Sequence, residues 1–115
     1  AKDYEDGLER LRGFARELDT TRVKFEAGLA AGIVHPKLIA ANIIEQLDGF
    51  IRQGVDSLPL YAPVRKMPAD IPTADQRRLA DGYREVIQGE VQPAFTRLRN
   101  FLRDHYLPQA RDSVG

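Results

Sequence analysis

Apolar side chains recur every three or four positions along almost the whole 115-residue chain. That spacing gathers them on one side of an α-helix. In the first segment Tyr4, Leu8, Leu11, Ala15 and Leu18 form such a stripe, which Phe25, Leu29 and Ile33 continue, while Glu5, Glu9, Arg12, Arg16 and Glu26 fall off it. The stretch Leu18-Asp19-Thr20-Thr21 offers caps for a second start, so the choice is between two helices and one long helix with an irregularity. The continuous stripe favours one. Gly32 tolerates the left-handed residue beyond a helix end, and Pro36 suits the first turn of the next helix, where its missing N–H costs nothing. A second helix is expected from about Pro36 to Gln53. Its face of Leu38, Ile39, Ile43, Ile44, Leu47, Phe50 and Ile51 is broad enough to be buried against two neighbours.

Residues 54–72 contain Pro59, Pro63, Pro68 and Pro72, which excludes a regular helix. They also carry Leu58, Leu60, Tyr61, Val64, Met67 and Ile71, too apolar for a solvated linker. The stretch reads as a strap over one end of a helical bundle, or as the lining of a cleft or interface. A third helix opens at Thr73, where Thr73 and Gln76 have the spacing of a capping box. Its stripe runs through Leu79, Tyr83, Val86, Ile87, Val91, Ala94, Phe95, Leu98, Phe101 and Leu102 to Tyr106. At about 1.5 Å per residue this element is roughly 50 Å long. Pro93 clashes with the carbonyl of Gly89 and predicts a kink, because the stripe keeps its phase across it. Pro108 makes Leu107 unfavourable as a helical residue and closes the element.

These patterns predict an all-α fold: three long helices packed as antiparallel neighbours, the third kinked near Pro93, with a proline-rich strap between the second and third. Residues 1–115 form one helical domain. A chain of this length buries about two-thirds of its unfolded surface. The 17 Lys and Arg residues balance 17 Asp and Glu, which argues against nucleic acid as a partner. The absence of cysteine removes disulfides, thiolate zinc sites and thiol catalysis. The apolar stretch 27–44 is broken by His35, Pro36 and Lys37, so it cannot supply the roughly 20 apolar residues of a membrane span. The opening AKDYEDG lacks the apolar run of a signal peptide. A soluble protein is expected.

Candidate chemistry is sparse. His35 and His105 lie 70 residues apart and neither has a histidine four positions away, so the helical zinc motif is missing. Positions 32 and 102, three before each histidine, are Gly and Leu, so no Glu-x-x-His element of a di-iron bundle exists. His35 reads as a turn residue and weak cap, and His105, beside Asp104, as a partner of the helix C-terminal dipole. Asp81 and Glu85 share a helix face, but Arg77, Arg78 and Arg84 surround them and a salt-bridged surface is expected. Arg97, Arg99 and Arg103 form at most a modest basic patch, weakened by Asp104. Gly28-x-x-x-Gly32 reads as a tight approach near a helix end rather than a dimer seam. Tyr4, Tyr61, Tyr83 and Tyr106 suit core positions with a wet edge. No catalytic, cofactor-binding or metal-ligating residue is assigned.

Two blocks carry a family resemblance. Residues 26–50, EAGLAAGIVHPKLIAANIIEQLDGF, resemble the Gly-x-x-x-Gly-x-x-x-Pro helix junction of the bacterial domain of unknown function 885 family. Residues 93–115, PAFTRLRNFLRDHYLPQARDSVG, resemble its Tyr-Leu-Pro-x-Ala-Arg-x-x-x-Gly segment. Members of that family are several times longer, largely helical, and similar to zinc-dependent peptidases, with a His-Glu-x-x-His-like motif well C-terminal to this region. The resemblance implies that this chain is the N-terminal, non-catalytic part of a larger bacterial protein of the cytoplasm or periplasm. It would wall a substrate cleft, with zinc held elsewhere. Gly28, Gly32, Pro36, Pro93, Tyr106, Pro108, Arg111 and Gly115 take structural roles, with Arg111 as an anchor to further sequence. The alternative is a stand-alone module that binds a protein partner or self-associates through its apolar helix faces.

Overall fold

The computed structural model describes residues 2–110. It is all-α, and no β-strand occurs among the described residues. Helix α1 spans Lys2–Ala30, α2 Lys37–Arg52, α3 Ala62–Arg65, α4 Thr73–Val86 and α5 Gln92–Phe101. The molecule is a rod of 55 × 22 × 21 Å.

Helix α1 runs unbroken through Asp19, Thr20 and Thr21. Two of the three candidate caps for a new start are occupied otherwise. The Thr21 hydroxyl donates back to the Glu17 carbonyl at 3.0 Å, and the Asp19 carboxylate receives two bonds from Arg97, at 3.0 and 2.8 Å. Gly7, Leu11, Ala15 and Leu18 form the buried stripe. Ile33, expected to extend it, lies past the helix end and is 75% exposed.

The expected third helix is a continuous helical run with two wide turns in it. Between α4 and α5 lies a π turn, Ile87–Val91, closed by the Gln92 N–H on the Ile87 carbonyl. A second π turn, Leu102–Tyr106, follows α5 and is closed by the Leu107 N–H on the Leu102 carbonyl. Each ends two residues before a proline, Pro93 or Pro108. In an α-helix each ring would press on the carbonyl four residues back, Gly89 or Asp104. Both carbonyls lie inside the π turns, where bonding to i−5 widens the ladder. The wide turn makes room for the Pro93 ring without breaking the helical run. Leu107 is also helical, in a 3₁₀ turn with Pro108 and Gln109, because Pro108 occupies an early position of that turn, where no N–H is required.

The long run and α1 point the same way. Tyr4 meets Tyr83, Phe14 meets Phe95 and Phe25 meets Tyr106, so both numberings climb together. Helix α2 is antiparallel to both: Phe50 stacks on Phe95 and Asp48 pairs with Arg99 at 2.5 Å. Antiparallel packing of all neighbours is thus corrected. When three rods alternate direction around one core, the first and last must agree.

The proline-rich stretch is more ordered and differently placed than expected. It contains 3₁₀ turns at Val55–Ser57 and Pro59–Tyr61 and the short helix α3. It lies along α4 rather than capping an end. Arg84 of α4 donates to the Asp56 carboxylate at 2.5 Å and sits 5.4 Å from the centre of the Tyr61 ring. Arg65 folds back on the carbonyls of Asp56 and Leu58, and the Tyr4 hydroxyl donates to the Pro63 carbonyl at 3.0 Å. Helix α2 has 16 residues and reaches only the α5 half of the long run. Val55, Leu58 and Tyr61 complete the core where α2 stops.

Two finer expectations change. The capping box does not form. The Gln76 N–H goes to the Pro72 carbonyl at 2.9 Å, and the Gln76 side chain donates to the Ile71 carbonyl at 2.8 Å. Pro72, which has no side-chain acceptor, occupies the cap position. The broad face of α2 is only partly covered. Ala40 and Leu47 are buried, Ile43, Ile44, Phe50 and Ile51 are half-buried, and Leu38 and Ile39 are 60% and 45% exposed.

Candidate functional site

The end of α1 is built by two glycines. Gly32 has φ +75°, in the left-handed region. Its N–H donates to the Leu29 carbonyl at 3.1 Å, and the Ile33 N–H donates to the Gly28 carbonyl at 2.8 Å. This is the paired bonding of a Schellman turn. A Cβ on Gly28 would lie 2.9 Å from the Ile33 carbonyl oxygen, so the returning chain needs that position bare. Both members of the Gly28-x-x-x-Gly32 motif therefore belong to one tight turn.

The turn delivers His35 to the second π turn. The His35 backbone N–H donates to the Tyr106 hydroxyl at 2.7 Å across 71 residues of sequence. Phe25 stands edge-on to both rings, its centre 6.0 Å from His35 and 5.0 Å from Tyr106. Tyr106 is 1% exposed, and the π turn before Pro108 carries it. The expected capping role of His35 is not realised: α2 starts after Pro36 with no side-chain cap. Beside these rings is an open cleft of about 330 Å³, lined also by Thr21, Lys24, Gly28 and Ile33.

A second hollow, about 580 Å³, opens at the same end of the rod. Lys37, Leu38, Ala41, Leu107 and Pro108 line it, and the lining is largely apolar. Ile33, Leu38 and Ile39, three of the exposed large hydrophobic residues, thus fall within a seven-residue stretch at the α1–α2 junction.

The remaining sequence candidates are dispersed. Gly28, Gly32, Pro36, Tyr106 and Pro108 converge on this end, whereas Pro93 lies mid-rod; Arg111 and Gly115 fall outside the described residues. The three arginines of the suspected basic patch are each engaged. Arg97 grips Asp19, Arg99 pairs with Asp48, and Arg103 holds Asp104 at 2.7 Å. The Arg103 hydrogen bond keeps the Asp104 carboxyl below the usual aspartate range. His105 is exposed, its ring tilted beside Phe101 at 6.0 Å. Asp81 and Glu85 are exposed on α4. Among the described residues no three His, Asp or Glu side chains converge as a metal ion requires. The sequence reading did not assign Thr21 and Lys24 to any site. Their signal was present: positions 21, 24, 25 and 28 share one helix face that leads to Gly28.

Residues 1–115 match the family described as bacterial protein of unknown function, DUF885. The chain belongs to the DUF885 family. No curated protein and no solved structure matches it. Both blocks that carried the resemblance meet in this DUF885 chain at the His35–Tyr106 contact. No helix among the described residues is long and apolar enough to cross a membrane.

Proposed function

We propose that this DUF885 chain is a non-catalytic helical scaffold segment that walls the substrate cleft of a larger zinc-peptidase-like protein. One observation carries the reading. Ile33, Leu38 and Ile39 are 75%, 60% and 45% exposed within one short stretch at the α1–α2 junction, and Leu38 lines an apolar hollow with Leu107 and Pro108. Burying a Leu or Ile side chain contributes about 1.5–3 kcal/mol. Three such groups left outside at one end make a surface suited to covering by another part of the protein. The peptidase link rests on the resemblance alone. Zinc would be held by the family's own motif outside this chain, and no step of the chemistry is assigned to these residues.

The test has two arms. Incubated with zinc and a peptide library, the chain gives no hydrolysis; chelator-sensitive turnover would refute a scaffold role. In the second arm the chain binds an apolar-surface dye, and Leu38→Glu lowers the signal. A clean monomer by light scattering that ignores the dye sinks the proposal. A stable dimer abolished by Leu38→Glu would instead support the stand-alone interaction module, in which a second copy covers the same rim.

A further inference from the structure

The cleft beside Tyr106 is bordered by a hydroxyl that makes one hydrogen bond among the described residues. The Tyr106 hydroxyl oxygen accepts the His35 N–H at 2.7 Å. A phenol that accepts one bond still has its own hydrogen to donate. Among the described residues no acceptor takes that hydrogen, although Tyr106 is 1% exposed. A buried donor left without a partner is costly, so this hydroxyl is suited to an incoming acceptor.

The charge of that acceptor follows from the rest of the lining. Lys24 is exposed at the rim and has no ion pair among the described residues. Among the described residues no Asp or Glu lines the cleft. Three rings in contact could otherwise hold a cation over their faces, but the Lys24 ammonium repels one and no described residue of the lining offsets that repulsion. The Phe25 ring and the Ile33 side chain offer apolar walls. A volume of about 330 Å³ is at the small end of the range for ligand sites, about 300–1,000 Å³. One cation and one hydroxyl match a single carboxylate, and the walls match a hydrocarbon or aromatic body.

We infer that this cleft binds a small apolar monocarboxylate, whose carboxylate takes the Tyr106 O–H and the Lys24 ammonium while its hydrocarbon lies against Phe25. The inference shares Ile33 with the scaffold reading but turns on Tyr106 and Lys24, which that reading does not use.

The test is an amide-resolved NMR titration of the full chain with 3-phenylpropionate, using 3-phenylpropanamide and 3-phenylpropylamine as comparisons. The carboxylate is expected to shift the Phe25, Gly28, His35 and Tyr106 signals, with half-saturation on the order of 1 mM, as suits so small a ligand. The amide should bind at least about threefold more weakly, and the amine should not bind. Lys24→Met removes a surface charge without touching the core and should weaken the carboxylate about threefold. Tyr106→Phe should weaken it about tenfold while the spectrum stays dispersed. Because Tyr106→Phe also strips the His35 N–H of its acceptor, the Lys24 variant provides the second, fold-neutral reading. Equal binding of carboxylate and amide overturns the inference. So does carboxylate affinity unchanged in both variants, or cleft signals that stay fixed up to about 20 mM ligand.

Discussion

Replacing Gly7 by alanine sets two effects of opposite sign against each other. Gly7 is buried in the first third of α1, and a methyl group in a helix interior normally stabilises by about 1 kcal/mol over glycine. Here the added Cβ would sit 2.0 Å from the Tyr83 hydroxyl oxygen and 3.2 Å from Cζ of the same ring. That hydroxyl donates to the Tyr4 carbonyl at 3.0 Å, and burial pushes its pKa up from the ordinary tyrosine value. The ring is 3% exposed and stands edge-on to Tyr4. It cannot swing into solvent, so it must displace its neighbours. Loss of the hydrogen bond costs about 1 kcal/mol, and forced repacking about 1–3 kcal/mol. The helix gain offsets about 1 kcal/mol of this, which leaves a net destabilisation of about 1–3 kcal/mol. Gly49→Ala is the matched control: it lies in α2 with nothing within 4 Å of the new Cβ, so it should stabilise by about 0.5–1 kcal/mol. Urea unfolding followed by circular dichroism measures both. If Gly7→Ala proves as stable as Gly49→Ala, α1 does not approach Tyr83 this closely and the packing of α1 on α4 is wrong.

Further outcomes follow from other contacts. Gly32→Ala puts a side chain at φ +75° and should cost about 1 kcal/mol; Gly28→Ala, blocked by the Ile33 carbonyl, should destabilise where an unhindered helical alanine would stabilise, both read as shifts in the thermal midpoint. A double-mutant cycle of Asp19→Asn and Arg97→Gln should give a coupling of about 0.5–1 kcal/mol, reflecting two bonds at a half-exposed site. The Arg97 hydrogen bond above all, then the Arg97 and Arg22 charges, hold the Asp19 pKa below its ordinary value against a push from burial. A depressed folded pKa contributes stability above the unfolded value, near 4, and that contribution fades as pH falls through the folded value. Asp19→Asn should therefore flatten the acid limb of stability below about pH 4, and an unaltered limb would count against the pair.

The helices were legible because burial imposes its period directly on the chain. Leu11, Ala15 and Leu18 are buried in α1, and Gly32 stands where a left-handed residue ends it. What stayed hidden depended on partners distant in sequence. Nothing local says that Asp19 will choose Arg97 over a helix cap, or that the Tyr106 hydroxyl will find the His35 amide. The capping box failed for a related reason. Thr73 and Gln76 have the right spacing, but the Pro72 carbonyl takes the Gln76 N–H first. A proline inside a helical stripe does not by itself announce the wider turn that precedes it. The direction of α1 against the long run was likewise a property of three elements together, invisible in any one of them.

The two wide turns also explain how so long a stripe stays on one side. Its buried residues advance by fours through each wide turn, as Ile87, Val91 and Phe95 do, and then Leu98, Leu102 and Tyr106. In an α-helix every such step overshoots a full circle by about 40°, and repeated steps would carry the stripe around to solvent. A π turn spends more residues on each circuit and rotates the stripe back. The prolines thus act as phase correctors, resetting the rod's winding at two points so that residues 27 apart, Leu79 and Tyr106, both end up out of contact with water.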